Sequence, residues 1–354
     1  MKIMSIVGAR PQFIKLAPLS RYLRQRHQEI LVHTGQHYDA NMSQVFFQEL
    51  DIPPPDYNLG VSSASPARQV GEMLARLEEV VGREKPQAMM VYGDTNSTLA
   101  GALVAAQAHI PLIHVEAGLR SYNRQMAEEI NRVVADHLAT LLCCPTENAV
   151  RNLAREGITR GVYNTGDVMY DAVLYHSDLA RQRSPILSCL GLQAGSYLLA
   201  TVHRAENTDR LERLAAIVAA FNSLAEPLVW PIHPRTRKML AQLDLPLQSH
   251  IQAMEPVGYL DMLALEMNAR AILTDSGGVQ KEAYFLGVPC VTLREETEWV
   301  ETVQAGWNVL AGTERERIIA AAQRPRPQGE RPAFFGNGQA HEVIVNLIGE
   351  VVRC

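Results

Sequence analysis

Short apolar segments of strand length alternate along this chain with longer amphipathic segments, and this alternation constrains the fold more than any other feature. Runs rich in β-branched and apolar residues predict buried strands, and 3.6-residue periodicity after a polar or Pro start predicts helices. Repeated strand–helix units imply right-handed βαβ connections and a parallel sheet covered on both faces. In the first half the predicted strands are Lys2–Val7, Glu29–His33, Gln87–Tyr92, Leu112–Val115 and Leu141–Cys144, and the predicted helices are Pro11–Arg26, Pro66–Val81, Thr95–Ala108 and Ala127–Leu138.

The alternation pauses over 181–196, where Arg, Gln, Ser, Pro and Gly cluster, and then resumes. The second series of predicted strands is Tyr197–Val202, Pro227–Ile232, Ile251–Ala253, Ala271–Thr274 and Pro289–Leu293. We therefore predict two doubly wound, Rossmann-like domains of the α/β class, over 1–180 and 197–335, joined by a linker at 181–196.

A Pro-rich segment at Arg324–Pro332 precedes a final helical stretch at Ala340–Arg353. Val343, Leu347 and Val351 share one face of that helix. We expect the last segment, 336–354, to pack back across the first domain.

Composition excludes several classes of protein. The 354 residues are 47% hydrophobic and 20% charged, enough apolar content for two cores, and the formal charge of −5 provides no basic field for nucleic acid. Five cysteines, two of them adjacent at Cys143 and Cys144, lack C-x-x-C spacing, which favours a reducing compartment. Arg10 and Lys15 follow the first strand too soon for a signal-peptide apolar region, and no apolar run has bilayer-spanning length. We expect a cytoplasmic protein with no membrane insertion.

Polar residues follow almost every predicted strand. In open parallel sheets ligands bind beyond the carboxyl ends of the strands, so these residues are the candidates for a functional site. They are Gly8–Gln12 with Lys15, Thr34–His37, Gly93–Ser97 and Glu116–Arg120 in the first half, and His203–Asn207, His233–Arg235 and Asp275–Glu282 in the second.

A turn of Ser276, Gly277 and Gly278 precedes a predicted helix and is suited to an anion. Glycines let the backbone approach a phosphate, and the free N–H groups and helix dipole attract negative charge. Glu282, near the start of the same helix, has the chemistry to bind ribose hydroxyls. The structural alternative is an ordinary helix N-cap with a tight turn. G-x-G-x-x-G and G-x-x-x-x-G-K-[ST] are absent, so neither tightly bound NAD nor ATP hydrolysis is predicted.

Several acids follow neighbouring strands. Asp94 and Glu116 end adjacent predicted strands, and Glu128 and Glu129 begin the next helix. Acids gathered around one cleft indicate proton transfer. Alternatively Asp94 caps the helix that follows it, and the Glu pair complements a helix dipole. Glu116 is harder to explain structurally, because it lies between an apolar strand and Ala-Gly, where a buried carboxylate is costly without partners.

Two histidines follow strands of the second domain. His203 and His233 lie beside Arg204 and Arg235, a combination typical of a phosphate-facing rim. The alternative is that both histidines cap helices or fill the core. H-E-x-x-H, Cys/His ligand spacing and G-x-S-x-G are absent, so we predict neither a metal site nor a serine nucleophile.

Seven segments together resemble the family of non-hydrolysing UDP-N-acetylglucosamine 2-epimerases. Their order and spacing match the family from Lys2 to about the last helix. The segments are GARPQFIK (8–15), GDTNST (93–98), HVEAGLRS (114–121), EEINR (128–132), HRAEN (203–207), HPRT (233–236) and TDSGGVQKEA (274–283).

This resemblance implies a GT-B fold with the active site in the cleft between the domains, a homodimer, and no bound redox cofactor. In the family a carboxylate removes the C2 proton while UDP leaves, and UDP then adds back to the bound 2-acetamidoglucal as a proton reaches the other face. Transferred position by position, the resemblance implies an acid–base group of Asp94, Glu116, Glu128 and His203. It also implies a UDP-binding set of Arg10, Lys15, His233, Ser276, Gly277, Gly278 and Glu282.

The chain departs from the family pattern at several positions. Ala127 replaces the Pro that usually precedes the acidic pair, and Trp299 replaces an Arg found in many members. Some bacterial members have an activating second substrate site, for which Gln36 and His37 fit the pattern, whereas Asp39 and Pro66 do not.

Four alternative functions remain. The HRAEN, HPRT and TEWVE combination is also similar to relatives that act on UDP-2,3-diacetamido-2,3-dideoxyglucuronate. The others are a hydrolysing enzyme that releases N-acetylmannosamine, a GT-B glycosyltransferase, and a UDP-sugar sensor without turnover. A glycosyltransferase has no evident use for acids at C2.

Overall fold

The computed structural model of the chain describes residues 1–35, 47, 49–61 and 65–352. The protein forms two compact units. The first unit comprises Met1–Ala172 with Ala333–Cys354, and the second comprises Val173–Pro332. Each unit contains its own parallel sheet, which confirms the predicted class of two doubly wound α/β domains.

The first unit is built on a seven-stranded sheet of described residues, in which each strand runs parallel to its neighbours. Its strands are β1 (Lys2–Val7), β2 (Gln28–His33), β3 (Tyr57–Asn58), β4 (Ala88–Tyr92), β5 (Leu112–Val115), β6 (Leu141–Cys144) and β7 (Val162–Asn164). The strand order is β3-β2-β1-β4-β5-β6-β7. The order reverses between β1 and β4, and ligands bind at such a switch point in doubly wound folds.

Helices cover this sheet on both faces, which is why its central strands are buried and mostly apolar. They are α1 (Arg10–Leu23), α2 (Pro66–Glu84), α3 (Asn96–Gln107), α4 (Ala127–Leu138), α5 (Glu147–Arg155) and the start of α6 (Val168–Arg183). Helix α3 packs closely on the switch point: a Cβ at Gly101 would lie 2.7 Å from Val91 and 2.8 Å from Ile6. Glycine is therefore required where α3 crosses β1 and β4.

The second unit repeats the same plan with a six-stranded parallel sheet. Its strands are β8 (Leu198–Thr201), β9 (Leu228–Pro231), β10 (Ile251–Met254), β11 (Ala271–Thr274), β12 (Cys290–Thr292) and β13 (Asn308–Leu310). The order is β10-β9-β8-β11-β12-β13, so the switch point lies between β8 and β11. The helices after α6 are α7 (Ile186–Cys189), α8 (Ala205–Thr208), α9 (Leu211–Asn222), α10 (Pro234–Leu240), α11 (Tyr259–Asn268), α12 (Gly277–Leu286), α13 (Val300–Gln304) and α14 (Arg315–Ala322).

The segment predicted as a linker, 181–196, holds the end of α6 and the short helix α7. The division between the units falls at Ala172 and Val173, within α6. Helix α7 packs on α11, and Ser184 at the end of α6 donates a hydrogen bond to Asp261 of α11 at 2.5 Å. Residues 181–196 thus belong to the second unit.

The last helix, α15 (Ala340–Val351), belongs to the first unit and packs against α1. Its buried face carries Ile344, Val345 and Ile348. This face differs from the predicted one: Val343 is 40% exposed. The periodicity predicted the wrong buried face because almost every residue from 343 to 348 is apolar. The helix therefore has two adjacent apolar faces, and the sequence does not indicate which one is buried.

Within the described residues, no helix has both the length and the hydropathy that a bilayer span requires.

Candidate active site

The turns after β1 and β4 are tied together at the first switch point by one buried side chain. Gln12 in α1 accepts hydrogen bonds from the backbone N–H groups of Gly8 (2.8 Å) and Ala9 (3.0 Å). Its Nε2 donates to the carbonyl oxygen of Tyr92 at the end of β4, at 2.8 Å. Arg10, which begins α1, therefore sits on a turn with little freedom to move.

A buried ion pair lies beside this turn. The ammonium of Lys15 in α1 contacts a carboxylate oxygen of Glu116, which follows β5, and the two side chains are 10% and 5% exposed. Glu116 has φ = +72°, in the left-handed region, where a non-glycine residue is disfavoured by roughly 1–2 kcal/mol. Lys15, predicted to bind UDP, thus contacts one of the predicted catalytic acids.

Gly93 fits between β4 and this ion pair. It has φ = +60°, and a Cβ there would lie 3.0 Å from Nζ of Lys15 and 3.2 Å from Oε2 of Glu116. Glycine is thus required both for its backbone conformation and for the space it leaves. The next residue is Asp94. Gly93 therefore links Asp94 to the strand end at which Glu116 also lies.

Asp94 is held by α4 and does not cap α3. The N-cap of α3 is Thr95, so the capping alternative for Asp94 is not observed. The Asp94 carboxylate pairs with Arg132 of α4, and Asn131 donates to the Asp94 carbonyl oxygen at 2.9 Å. The Arg132 side chain is 3% exposed and that of Asp94 is 28% exposed. The arginine is buried and anchored, whereas the carboxylate is partly exposed.

The two glutamates at the start of α4 have different surroundings. Glu129 is buried and accepts hydrogen bonds from the Ser121 N–H, the Ser121 hydroxyl and the Tyr122 N–H, each at 2.9 Å. It therefore fixes the loop before the helix. Glu128 is half-buried on the adjacent face. Of the pair, Glu128 is the more exposed.

Lys15, Gly93, Asp94, Glu116 and Arg132 are called the acid cluster below. Arg132 was missed as a site residue, although it lies in the EEINR segment. The sequence did contain a signal for Arg132. This residue lies four positions after Glu128 and therefore on the same helix face, which is directed toward the strand ends.

In the second unit, buried Asp275 organises the turns at the β8–β11 switch point. Its carboxylate accepts from the N–H of His203 (3.1 Å), the N–H of Arg204 (3.0 Å) and Nδ2 of Asn207 (3.1 Å). Nδ1 of His203 lies 3.4 Å from Oδ1 of Asp275, and the His203 side chain is 41% exposed. Asp275 thus orients a histidine that remains accessible. It follows β11 directly and belongs to the candidate segment Asp275–Glu282, although no specific role was predicted for it.

His203 and His233 come together, with ring centroids 6.2 Å apart. Nδ1 of His233 accepts from the N–H of Arg235 at 3.2 Å, so His233 caps α10. The capping alternative is observed for this residue. The cap leaves Nε2 of His233 to carry the ring proton, an N–H donor.

The Ser276–Gly278 turn begins α12. Ser276 is the N-cap, and its Oγ accepts from the N–H of Val279 at 3.4 Å. A Cβ on Gly277 would lie 3.4 Å from Nε1 of Trp299 and 4.0 Å from Nη2 of Arg204. An indole nitrogen, a guanidinium and, also at 4.0 Å, a carboxylate oxygen of Glu298 thus lie around the glycine at the helix N-terminus. His203, His233, Asp275, Ser276 and Gly277 are called the histidine–glycine cluster below.

Glu282 lies further along α12 and is buried. Gln36 and His37, the predicted allosteric residues, lie outside the described residues. The other predicted residues divide between the units: Arg10, Lys15, Asp94, Glu116 and Glu128 belong to the first, and His203, His233, Ser276, Gly277, Gly278 and Glu282 belong to the second.

Known proteins resemble this chain over its whole length. A family model described as UDP-N-acetylglucosamine 2-epimerase matches residues 21–349. A UDP-N-acetylglucosamine 2-epimerase homolog of Methanococcus maripaludis is 52% identical, over 98% of this chain and 99% of that protein. The UDP-2,3-diacetamido-2,3-dideoxy-D-glucuronate 2-epimerase of Pseudomonas aeruginosa is 47% identical, over 99% of this chain and 100% of that protein.

A solved structure agrees with these relatives. The UDP-GlcNAc 2-epimerase of Methanocaldococcus jannaschii, in complex with UDP-GlcNAc and UDP, superposes with a TM-score of 0.93 at 43% identity, over 99% of this chain and 100% of that one. With the two switch-point clusters, this likeness defines a two-domain nucleotide-sugar isomerase. The chain belongs to the UDP-N-acetylglucosamine 2-epimerase family.

Proposed function

We propose that this protein interconverts UDP-GlcNAc and UDP-ManNAc by inverting C2 of the sugar. The observation that carries the proposal is the acid cluster, in which buried Glu116 is held in a strained conformation against Lys15 and beside Asp94. A residue that has a strained backbone and also takes part in a buried ion pair is typical of a catalytic site rather than of a position that serves stability. The M. jannaschii relative, described in complex with UDP-GlcNAc and UDP, supports the choice of substrate.

The proposed reaction has two half-steps. A carboxylate takes the C2 proton as the bond from C1 to the diphosphate oxygen breaks, which gives UDP and 2-acetamidoglucal. UDP then adds back at C1 while an acid delivers a proton to the opposite face of C2. No net oxidation occurs and the atoms balance, so the reaction needs acids at the ring and cations at the diphosphate.

The acid–base roles belong to Asp94, Glu116, Glu128 and His203. Asp94 is partly exposed and paired with Arg132, and Glu116 is buried against Lys15, so each carboxylate is held in place by a cation. His203, oriented by Asp275, is suited to deliver or accept a proton at neutral pH.

The diphosphate is assigned to positively polarised groups. Arg10, His233 and the N-terminus of α12 at Ser276, Gly277 and Gly278 would stabilise the charge that grows on UDP as it leaves. Glu282 of the same helix would take the ribose hydroxyls. The C2 proton is weakly acidic, so good stabilisation of the leaving group is what makes a carboxylate base sufficient.

A second substrate is favoured by a specific observation. The P. aeruginosa relative, 47% identical to this chain, is a 2-epimerase of UDP-2,3-diacetamido-2,3-dideoxy-D-glucuronate. The C2 chemistry is the same for both sugars, so the acid cluster fits either one. Parallel measurements of kcat/KM with the two UDP-sugars decide between them, because the ratio of the two values is the specificity.

We further propose a cytoplasmic homodimer that supplies UDP-ManNAc for polysaccharide synthesis, as the family resemblance implies. The thiols of Cys143, Cys144 and Cys290 are buried and free, which suits a reducing compartment. Light scattering during size-exclusion chromatography tests the dimer: a mass equal to one chain would contradict it.

The decisive experiment is exchange at C2. The enzyme is incubated with each UDP-sugar in deuterated water, and recovered substrate and product are analysed by NMR. We expect deuterium at C2 in both sugars, because either half-step can return a solvent proton. Turnover without deuterium would refute the elimination mechanism, and transfer of the sugar to an added acceptor would indicate a glycosyltransferase.

A further inference from the structure

His114 in β5 is fully buried, and the proposed chemistry gives it no role. Its Nδ1 lies 2.7 Å from Oδ1 of Asp136 in α4, and its Nε2 lies 2.7 Å from the carbonyl oxygen of Gly93. A carbonyl oxygen can only accept, so Nε2 must carry a proton and donate it.

The other side of the ring faces an ionised carboxylate. Asp136 also accepts from Nη1 of Arg120 at 2.6 Å and from the N–H of Gly118 at 3.1 Å. Burial alone would raise the pKa of Asp136, but the neighbouring His114 and Arg120 outweigh burial and lower it. Arg120 and the Gly118 N–H donate to this carboxylate independently of the histidine, and an acceptor-only carboxylate 2.7 Å from Nδ1 requires that nitrogen to carry a proton as well.

The resulting imidazolium is balanced by its neighbours. Arg120 also bonds both carboxylate oxygens of Glu156, at 2.7 Å each. The row His114, Asp136, Arg120 and Glu156 therefore alternates positive and negative charges, and the buried cation has a partner. Charges are tolerated in a protein interior only when they are paired in this way.

We infer that His114 is a positioning residue of this enzyme, a doubly protonated imidazolium that holds the carbonyl of Gly93 and thereby fixes the acid cluster. Gly93 is the one flexible link between the end of β4 and Asp94, and it also borders the Lys15–Glu116 pair. A charge-assisted hydrogen bond to its carbonyl oxygen restrains the freedom that glycine would otherwise have. The catalytic consequence rests on the proposed function, whereas the protonation state does not.

The first test needs no substrate, and it uses a variant only to assign resonances. Wild-type protein labelled with ¹⁵N-histidine is examined by NMR at neutral pH, and the His114 resonances are assigned by their absence from His114→Gln. We expect protons on both ring nitrogens. A single protonated nitrogen would overturn the inference.

The second test separates positioning from folding. Asp136→Asn keeps the side-chain size but removes the negative charge, so we expect His114 to lose one proton and kcat to fall roughly 100-fold with little change in KM. The control is His341→Gln, which breaks another histidine–carboxylate pair of the first unit, with Asp171 at 2.7 Å. Thermal unfolding of both variants reports the structural effect alone, and we expect wild-type kcat from the control.

The outcomes distinguish this inference from the proposed function. If wild-type enzyme incorporates deuterium at C2 but Asp136→Asn retains wild-type kcat, the positioning role is refuted and the epimerase proposal stands. If wild-type enzyme incorporates no deuterium, the proposed function fails, while the NMR result still decides the charge of His114. An equal loss of kcat in the His341→Gln control would reduce the effect to stability and refute the role as well.

Discussion

Removing either half of the Lys15–Glu116 pair should destabilise the first unit far more than removing an exposed ion pair. Both side chains are at least nine-tenths buried, at 10% and 5% exposure. Lys15→Met keeps the length of the side chain but leaves the Glu116 carboxylate without its ammonium. Glu116→Gln removes the negative charge and leaves the Lys15 ammonium without this carboxylate.

The expected magnitude follows from burial. Breaking a buried ion pair from one side costs about 3–5 kcal/mol, because the remaining charge is desolvated without compensation. The double variant Lys15→Met/Glu116→Gln leaves no charge behind, so its loss should be smaller than the sum of the two single losses. That difference is the coupling energy of the double-mutant cycle, about 0.5–3 kcal/mol for residues in contact.

Urea unfolding followed by hydrogen exchange of peptides from the first unit measures these losses without contributions from the second unit. Lys2→Met is the matched control: Lys2 pairs with Glu84 at 3.2 Å, but the two side chains are 30% and 22% exposed, so we expect a loss of about 1 kcal/mol or less. Equal losses for Lys2→Met and Lys15→Met would refute the argument that the second pair is desolvated.

Three further predictions concern the same unit. Glu128→Gln should lower kcat by orders of magnitude at unchanged melting temperature. Glu129→Gln should instead lower the melting temperature, because Glu129 holds the loop before α4. The reverse pattern would show that the two residues have the opposite roles. Gly93→Ala should cost at least about 1 kcal/mol in urea unfolding and reduce kcat, because its backbone is left-handed and a Cβ would press on the ion pair. The pKa of Asp136 is lowered in the folded state from its ordinary value of 3.8, so its contribution to stability is present above pH 3.8 and is lost as the pH falls below that value. Asp136→Asn should therefore be less stable than wild type at neutral pH, and the difference should shrink in acid unfolding curves; a constant difference would contradict the assignment.

The sheets were predictable from the sequence in their interiors but not at all of their edges. Central strands are buried on both faces and therefore appear as continuous apolar runs, as for β4 at Ala88–Tyr92. The strands that the sequence missed are β3 (Tyr57–Asn58), β7 (Val162–Asn164) and β13 (Asn308–Leu310), each at the edge of a sheet. An edge strand of two or three residues has too few positions to show a period, and half-exposed residues such as Tyr163 carry no apolar signal.

The site was predictable to the extent that topology determines it. Parallel strands bring their carboxyl ends to one edge, so a list of residues after each strand contained Asp94, Glu116 and His203 without knowledge of the fold. The same list contained Asp275, but it did not contain Arg132 and did not indicate which residues pair. Arg132 reaches Asp94 from a helix 38 residues further along the chain, and Asp275 reaches His203 across 72 residues. Pairing over such separations depends on the three-dimensional packing of α4 and β11, which strand and helix patterns do not specify.

Glu116 breaks two local rules at once, and this combination separates it from the other unusual backbone positions. Among the described residues, the non-glycine residues with positive φ are Asp51, Lys85, His109, Tyr122 and Glu116. All except Glu116 are exposed, in turns or at helix ends, where the strain can be relieved by water and small shifts. Glu116 is buried and charged, and its backbone is left-handed; its carboxylate contacts the ammonium of Lys15, and Gly93 leaves space for both side chains. Sequences agree with their folds at every level except where function requires otherwise. The end of β5 is such a place. If the residue there served stability alone, a glycine would be more favourable than a glutamate, because it would remove both the backbone strain and the buried charge.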